Sequence, residues 1–322
     1  MLFLFFKICI DKTVFMLYIL IYTVDIHGRC TGLQKEGAIL IRVENVSKKL
    51  GSFKLTDINL SIPRGYICGL IGENGAGKTS LIHLLLGLYK ADAGEIFING
   101  NSLKENEQIV KDEIGWVLSE ELFDGQLSLR GNADAYGKYY SNYDRQAFLS
   151  YCERFNLQPD KKLKAHSKGE KLKFQFAFAL SHNPKLLVLD EPTANFDPEF
   201  RSEFMKCLTE FIEDGERSIL LATHLTSDLD RIGDYITFIH KGKVIISADR
   251  ETLSNSYRLV SGEDYKLNLI AKDKVIYKEK GEYGSKALVK HSRLSVYDKE
   301  VTVSVPTIEE IMYFVIKGDS HV

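Results

Sequence analysis

The chain has 322 residues, 44% of them hydrophobic, which is enough to bury a sizeable core in one or two domains. Its 42 Lys and Arg residues nearly balance 44 Asp and Glu residues, so the formal net charge is −2. That balance gives no electrostatic reason to expect a nucleic acid partner. The 5 cysteines lack the paired spacing of metal ligands, which indicates packing thiols in a reducing compartment.

Residues 1–38 form an apolar N-terminal extension, which Lys7 and Lys12 interrupt. No uninterrupted run reaches the roughly 20 residues that a transmembrane helix needs. No basic segment precedes the apolar stretch, which disfavours a signal peptide. A membrane-surface anchor is one interpretation. Our preferred hypothesis is that the segment is not translated, because purine-rich codons for residues 35–37 would resemble a bacterial ribosome-binding site just before Ile39.

The next segments alternate between strand and turn patterns. Ile39 to Val46 and Leu55 to Ile62 alternate apolar and polar residues, which predicts strands with one buried face. After a turn at Pro63-Arg64-Gly65, the apolar run Tyr66 to Ile71 predicts a buried strand. Leucines at helical spacing follow from Ser80 to Leu86 and predict a helix.

A complete G-x-x-x-x-G-K-T motif separates that strand from that helix and predicts a phosphate cradle. Its glycines let backbone N–H groups face phosphate oxygens, and the helix N-terminus adds its positive dipole end. Lys78 is expected to reach the β- and γ-phosphates, and the Thr79 hydroxyl to bind Mg²⁺. The expected nucleotide-binding residues are Gly72, Glu73, Asn74, Gly75, Ala76, Gly77, Lys78, Thr79 and Ser80.

A second motif consists of the apolar run Leu186 to Leu189 followed directly by Asp190 and Glu191. A strand buried on both faces has such a continuous apolar sequence, and ligands collect at the carboxyl ends of parallel strands. Taken alone, the acidic pair is most often a solvated strand end. Together with the cradle it predicts nucleotide hydrolysis, with Asp190 holding Mg²⁺ and Glu191 accepting a proton from the attacking water.

Residues 39–249 resemble the nucleotide-binding subunit of an ABC transporter, because further motifs follow the cradle in that family's order. The resemblance implies an α/β fold of the P-loop NTPase type, with an antiparallel β subdomain and a helical subdomain at about 113–185. Residues 250–322 are expected to add a small α+β region. The matching motifs are His166 to Glu170 at the signature, Asp190-Glu191, Pro192 to Asp197 at the D-loop, and Thr223-His224 at the switch histidine.

The resemblance also implies roles for single residues. Ser167 and Gly169 would offer a hydroxyl and backbone N–H groups to a γ-phosphate held by the opposite subunit. Two subunits, identical or paralogous, would then sandwich two ATP molecules, and Asp197 would link the two sites. His224 would sense the γ-phosphate and orient the attacking water. An ordinary surface histidine is the alternative for His224, but its place after a central strand favours the catalytic role.

The signature departs from the family's pattern at three positions. His166, Lys168 and Glu170 stand where Leu, Gly and Gln are usual. Lys168 adds positive charge near the expected phosphate, and Glu170 is expected to cancel part of it. Because Lys78, Asp190, Glu191 and His224 are all present, the sequence still predicts a working ATPase.

Two further departures from the family's pattern affect the expected contacts to Mg²⁺ and to the adenine base of the nucleotide. Ser119 stands where the family's Q-loop has a Gln that touches Mg²⁺ and water, so Ser119, the neighbouring Glu120 or a water molecule is the expected replacement. Leu50 occupies the position of the aromatic residue that stacks on adenine, and Phe53 is expected to stack instead.

The rest of the chain predicts a hairpin at 95–100, a closing hairpin at 235–246, and a tail with strands at 274–277 and 301–305 and a helix at 307–316. The pattern from about Glu113 to Lys185 is helical, and in the resembled family this region docks on the permease. Most of its tyrosines predict amphipathic packing, although an interface with a membrane partner is the alternative. They are Tyr136, Tyr139, Tyr140, Tyr143 and Tyr151.

The expected function is that of an ATPase subunit of an ABC exporter, with ATP and Mg²⁺ as cofactors. The chain would act at the cytoplasmic face of the membrane, paired with a second ATPase subunit and a separate integral membrane permease. The alternative is a soluble ABC ATPase that acts on ribosomes or DNA. Those types usually carry two ATPase domains or a long coiled-coil insertion, whereas this sequence has one cradle and a short insertion.

Overall fold

The computed structural model describes residues 39–282, 284–291 and 301–319, except for the side chain of Asn195. The N-terminal extension 1–38, and with it the hypothesis that this segment is not translated, lies outside the described residues. None of the helices in the described part of the chain is both long enough and apolar enough to cross a membrane.

The described part of the chain begins with an antiparallel four-stranded sheet in the order β2-β1-β4-β5. The first two strands run longer than their alternating patterns predict, because the two residues Gly51 and Ser52 suffice to turn β1 into β2. The hairpin at 95–100 is confirmed, with positive φ angles of 50° at Asn99 and 79° at Gly100. These strands are β1 (Ile39–Leu50), β2 (Phe53–Pro63), β4 (Ala93–Ile98) and β5 (Asn101–Ser102).

The central six-stranded sheet has the order β10-β9-β3-β8-β7-β6 and positions the predicted site. Every residue of β3, β7 and β8 is buried, which explains their continuous apolar sequences. These three strands are neighbours and parallel, so the residues that follow them lie at one edge. The strands are β3 (Ile67–Ile71), β6 (Ile114–Val117), β7 (Leu186–Asp190), β8 (Ser218–Ala222), β9 (Tyr235–His240) and β10 (Lys243–Asp249).

The interpretation of a helical pattern from about Glu113 is wrong for its first residues. Ile114–Val117 forms β6, which pairs in parallel with β7 at the edge of the central sheet. A run of four residues is too short for periodicity to separate a buried strand from a helix. Helices do occupy much of the remaining segment, and they are Leu129–Gly137, Arg145–Arg154 and Lys168–Ser181, with a 3-10 turn at Leu163–Ala165.

Helices cover the two faces of the central sheet, and buried aromatic side chains fill the core on one side. Phe174 and Phe178 of the helix Lys168–Ser181 pack edge-on against Phe123. The closing hairpin predicted at 235–246 is confirmed as the antiparallel pair β9 and β10. The remaining helices within the described residues 39–249 are Lys78–Leu85, Glu107–Asp112, Pro198–Ile212 and Thr226–Ile232, with a 3-10 turn at Pro192–Asn195.

The C-terminal region forms a third, antiparallel sheet in the order β12-β13-β11-β14. The two strands and the final helix predicted from sequence are present, although the helix Ile308–Asp319 extends further than predicted. The sequence analysis missed β11 and β13, the two central strands. The elements are Arg250–Ser256, β11 (Tyr257–Gly262), Asp264–Leu267, β12 (Val275–Gly281), β13 (Gly284–Lys290), β14 (Thr302–Ser304) and Ile308–Asp319.

Candidate active site

The phosphate cradle is a tight loop between β3 and the helix that begins at Lys78. Its backbone closes through a hydrogen bond of 3.1 Å from Ala76 N to the Glu73 carbonyl. Gly77 caps the helix with φ 113°, and a Cβ there would lie 2.9 Å from the Phe53 ring. Glycine is the residue that adopts this positive φ angle without strain and has no Cβ to clash with the Phe53 ring. The loop therefore keeps the open shape, lined by backbone N–H groups, that a phosphate group needs.

Lys78 lies over this loop with only 6% of its surface exposed. Its Nζ donates a hydrogen bond of 2.8 Å to the Gly72 carbonyl and one of 3.4 Å to the Glu73 carbonyl. The same Nζ lies 3.6 Å from Oε1 of Glu191. The cradle cation is therefore held at the loop and also faces the carboxylate expected to act as the base.

Thr79 and Asp190 meet at the base of the cradle. The Thr79 hydroxyl donates a hydrogen bond of 2.8 Å to Asp190 Oδ2. Asp190 is 2% exposed, and its Oδ1 is buried without a hydrogen-bond partner among the described residues. Burial raises the pKa of this carboxyl, and the Thr79 hydrogen bond opposes the shift.

These two side chains fit Mg²⁺. The cation prefers oxygen ligands, and the Asp190 oxygen without a partner supplies one. Across the described ranges, no group of three or more His, Cys, Asp or Glu residues could hold a metal by itself. Mg²⁺ would therefore complete its coordination with phosphate oxygens and water, which is its usual habit in nucleotide sites.

Glu191 and His224 form a second pair, at the neighbouring ends of β7 and β8. Glu191 has a left-handed backbone with φ 50°, and its N–H donates to the Ala222 carbonyl at 2.9 Å. Its Oε2 lies 2.5 Å from His224 Nδ1, and the His224 backbone N–H lies 3.4 Å from the same oxygen. Half of the His224 side chain is exposed, so the pair faces the solvent side of the cradle.

The sequence predicts that the signature lies at the start of a helix from Lys171 to Ser181. The helix is present, but the predicted start at Lys171 is wrong. The helix starts at Lys168, and Ser167 caps it by accepting a hydrogen bond of 3.2 Å from Glu170 N. Glu170 returns a contact, since its Oε2 accepts a hydrogen bond of 2.8 Å from Ser167 N. This reciprocal capping box extends the helix by one turn. Glu170 therefore stabilises the start of the signature helix, and the hydrogen bond from Ser167 N is the chief cause that lowers its pKa.

The structure does not bring the signature to the cradle of the same chain. No hydrogen bond joins Ser167 or Gly169 to the cradle residues in the described part of the chain. Lys168, the first residue of the helix, is exposed, whereas His166 is buried beside Glu170 at 3.5 Å. Among the described residues, the signature is thus an exposed helix N-terminus without a hydrogen bond to the cradle of its own chain.

Asp197 lies at the start of the helix Pro198–Ile212. Its Oδ1 accepts a hydrogen bond of 2.8 Å from Phe200 N, and its Oδ2 lies 3.2 Å from Lys173 Nζ. The bond from Phe200 N, followed by the Lys173 contact, lowers its pKa. Within one chain, Asp197 therefore ties the D-loop to the signature helix, and its expected link to a second site stays a prediction.

The loop after β6 is held by residues that the sequence analysis missed. Gln175 accepts a hydrogen bond of 2.8 Å from Leu118 N and donates one of 3.4 Å to the Glu120 carbonyl. The Glu120 carboxylate lies 3.5 Å from His83 Nε2, on the cradle helix. His83 is four residues after Thr79, hence on the same helical face, which could have identified it. Metal binding by Ser119 or Glu120 stays a prediction.

Phe53, the residue expected to stack on the base in place of Leu50, lies beside the cradle, and its base contact stays a prediction. It pairs with Leu50 across the turn between β1 and β2, and its ring lies against the backbone of Gly77 and Gly242. The ring is half-buried, so one part of it stays open beside the cradle.

The chain resembles known proteins over this same region. The family model described as ABC transporter matches residues 55–194. The bacitracin transport ATP-binding protein BcrA of Bacillus licheniformis is 32% identical over 209 residues, which are 64% of this chain and 68% of that protein. A putative ABC transporter ATP-binding protein of Mycoplasma pneumoniae is 30% identical over 253 residues, 74% of this chain and 77% of that protein.

Solved structures agree on the fold. A structure described as the ATP-binding subunit of an ABC transporter has a TM-score of 0.63 at 24% identity, covering 66% of this chain and 91% of its own. A dimeric ATP-binding cassette in a post-hydrolysis state with ADP and Pi has a TM-score of 0.59 at 23% identity, covering 65% and 98%. The chain therefore belongs to the ABC transporter family, as one of its ATP-binding and ATP-hydrolysing subunits.

Proposed function

We propose that this chain hydrolyses MgATP with Glu191 as the general base and drives export through a separate membrane permease. The observation that carries the proposal is the convergence of Lys78, Glu191 and His224 at the carboxyl ends of neighbouring strands. Asp190 lies directly before Glu191, with a buried oxygen free to accept a ligand. The site thus joins a cation, a base and a metal ligand around one phosphate cradle.

Each residue has a chemical task in this proposal. The cradle N–H groups and Lys78 bind the β- and γ-phosphates, and Thr79 and Asp190 would hold Mg²⁺. When bound, that ion supplies positive charge at the phosphate oxygens. Glu191 Oε1, beside Lys78, accepts the proton of the attacking water. His224 contacts the other carboxylate oxygen, Oε2, and thereby fixes the orientation of the Glu191 side chain.

We propose that a second copy, or a paralogous ATPase subunit, completes the site. The support is the exposed start of the signature helix, where Ser167 and the N–H groups near Gly169 bind nothing in their own cradle. A helix N-terminus attracts phosphate, and the exposed Lys168 adds a positive charge there. Asp197 would then lie near the boundary between the two subunits.

The proposed permease contact is a groove of about 190 Å³ beside β6. Leu88 and Leu122 line it and are 50% and 41% exposed, so that they offer apolar surface to a partner at this groove. The tyrosines of this region divide into two groups. Tyr140, Tyr143 and Tyr151 pack on aromatic neighbours, whereas Tyr139 is 63% exposed and is available for a partner.

Export is the proposed direction because one relative is named for export and another for resistance to a drug. They are a daunorubicin resistance ATP-binding protein of Streptomyces coeruleorubidus and a Nod factor export ATP-binding protein of Sinorhizobium fredii, 30% and 31% identical to this chain. The chain would then work at the cytoplasmic face of the membrane, bound through its permease. Action on ribosomes or DNA is the less favoured alternative.

The test uses the full chain in a membrane extract of its own organism. The tagged parent should hydrolyse ATP and retain an integral membrane protein, and Leu122→Glu should keep the ATPase but lose that protein. Retention of ribosomes or DNA instead, equal for both forms, would contradict the transport role. Absence of ATPase activity in the parent would contradict the catalytic assignment.

A further inference from the structure

The C-terminal helix Ile308–Asp319 packs on the ATPase core. Its buried residues Ile308 and Ile311 line a small apolar gap with Ile71, the last residue of the cradle strand, and with Phe238 of β9. The apolar contact fixes the helix on the sheet, directly behind the strand that leads into the phosphate cradle.

The last residue of this helix ends beside the cradle. Asp319 Oδ2 lies 3.5 Å from His240 Nε2 and 3.4 Å from Lys241 Nζ. His240 in turn places its Nδ1 3.5 Å from Oε2 of Glu73, the second residue of the cradle motif. One imidazole therefore lies between a carboxylate of the C-terminal helix and a carboxylate of the nucleotide site.

His240 is buried, with 5% of its surface exposed, and neither ring nitrogen makes a hydrogen bond within the described residues. The two carboxylates and Lys241 are the charged groups in contact with this site.

The backbone around His240 touches the cradle directly on both sides. Gly242 N donates a hydrogen bond of 3.0 Å to the Ala76 carbonyl. On the other side, the Ile239 carbonyl oxygen is only 2.3 Å from the place where a Cβ on Gly72 would lie. Any movement of the turn between β9 and β10 would therefore move the cradle backbone.

We propose that His240 and Asp319 are positioning residues for nucleotide binding. They join the end of the C-terminal helix to Glu73 and hold the turn after β9 against the cradle. Loss of the Asp319 carboxylate leaves His240 with one carboxylate neighbour, loosens the turn and weakens the binding of ATP. The C-terminal region thereby sets the affinity of the site without touching the reacting atoms. This inference rests on the proposed role of the cradle.

Asp319→Asn in the full chain tests the proposal, with ATP affinity measured by calorimetry and turnover measured separately. We expect about two- to fivefold weaker ATP binding, the range that partly exposed ion pairs contribute. The kcat should stay unchanged because Asp190, Glu191 and His224 keep their contacts. The matched control is Glu309→Gln, an exposed acidic residue in the first turn of the same helix, which should bind ATP like the parent.

A double-mutant cycle separates this role from a general loss of stability. Glu73 and Asp319 should show coupling in ATP affinity when Glu73→Gln and Asp319→Asn are combined, although His240 lies between them. Additive effects, parental affinity of Asp319→Asn, or an equal loss in Glu309→Gln would each overturn the proposal. A parent that binds no ATP would instead overturn the proposed function.

Discussion

Oε2 of Glu191 lies 2.5 Å from Nδ1 of His224, although 33 residues separate them in the chain. The register of the central sheet produces this contact, because Asp190 pairs with Ala222 at the ends of the parallel strands β7 and β8. Glu191, the first residue after β7, and His224, the second residue after β8, then meet at the same edge. One carboxylate oxygen is held by the histidine, and the other lies near Lys78.

Glu191→Gln should keep ATP binding and lose hydrolysis. The amide retains the shape and the contacts of the side chain but cannot accept a proton, so turnover should fall on the order of 10²–10⁴-fold, the usual worth of general-base catalysis. In ATP the variant should also accumulate as a dimer, because the closed state cannot reset. Turnover assays and light scattering check both results. Hydrolysis at the parental rate would remove Glu191 from its role.

Lys78→Ala should weaken ATP binding while leaving the fold intact. The substitution removes the side-chain cation whose Nζ lies over the Gly72 carbonyl, but the cradle N–H groups remain. A charged hydrogen bond contributes about 1.5–3 kcal/mol, so affinity should fall roughly ten- to hundredfold. Calorimetry measures the loss, and Lys206→Ala, an exposed lysine on the helix Pro198–Ile212, is the control. Equal affinities of the two variants would contradict the assignment.

The sequence was sufficient for the cradle and for the strands behind it, for a physical reason. Strands buried on both faces have continuous apolar sequences, and β3, β7 and β8 follow that rule except for Asp190 at the end of β7 and Ser218 at the start of β8. The polar residues directly after such runs must then lie at one sheet edge. Asp190 was identified on this basis, whereas Thr79 was identified from the cradle motif and His224 from the family resemblance. The structure brings Thr79 to Asp190 and His224 to Glu191.

Contacts between segments that are distant in the chain, and one short strand, could not be predicted from the sequence. β6 was read as helix because four apolar residues carry no measurable period. The contact of Glu120 with His83, and that of His240 with Asp319, each join segments whose approach depends on tertiary packing. The early start of the signature helix was predictable, since Ser167 and Glu170 stand at capping-box spacing.

Asp190→Asn should raise the thermal stability of the nucleotide-free chain. Burial raises the pKa of Asp190 in the folded state, so the ionised carboxylate destabilises the fold at any pH above that raised value. The amide keeps an acceptor for the Thr79 hydroxyl but carries no charge. The gain in melting temperature should be full at pH values above the raised folded-state pKa and should shrink as the pH falls from there toward the ordinary range of an aspartate. Below that range the gain should vanish, because Asp190 is then protonated in both the folded and the unfolded state.

Thermal melts of parent and variant across this pH range provide the measurement. The same variant should lose Mg²⁺-dependent hydrolysis, because its amide is a poorer ligand for a hard cation. A melting temperature of Asp190→Asn below that of the parent at pH 7 would contradict the proposed cost of burying an ionised carboxylate. An equal difference between the two melting temperatures at every pH would contradict it as well.

Ser167→Ala should weaken the start of the signature helix. The hydroxyl caps the helix by accepting a hydrogen bond from Glu170 N, and loss of such a cap costs about 1 kcal/mol. Chemical denaturation measures this loss. Ser167→Asp keeps a capping acceptor and should restore stability, but its negative charge should still impair ATP-driven dimerisation. Dimerisation of Ser167→Asp at the parental level would contradict the proposed phosphate contact.

Ser119→Gln tests the unusual loop after β6. Gln175 fixes the backbone of this loop at Leu118, and the Glu120 side chain is drawn toward His83. A longer amide at position 119 would therefore offer an oxygen to Mg²⁺ without disturbing the anchors of the loop. Basal ATPase activity should be equal or higher, and stimulation by the permease should change more strongly, because the loop joins the site to the helical region.

ATPase assays over a range of Mg²⁺ concentrations check the first result. Ser119→Ala is the matched control and should leave the Mg²⁺ requirement unchanged if Ser119 is only a turn residue. A fall in basal activity with Gln, together with parental behaviour of the alanine variant, would show that the loop does not approach the metal.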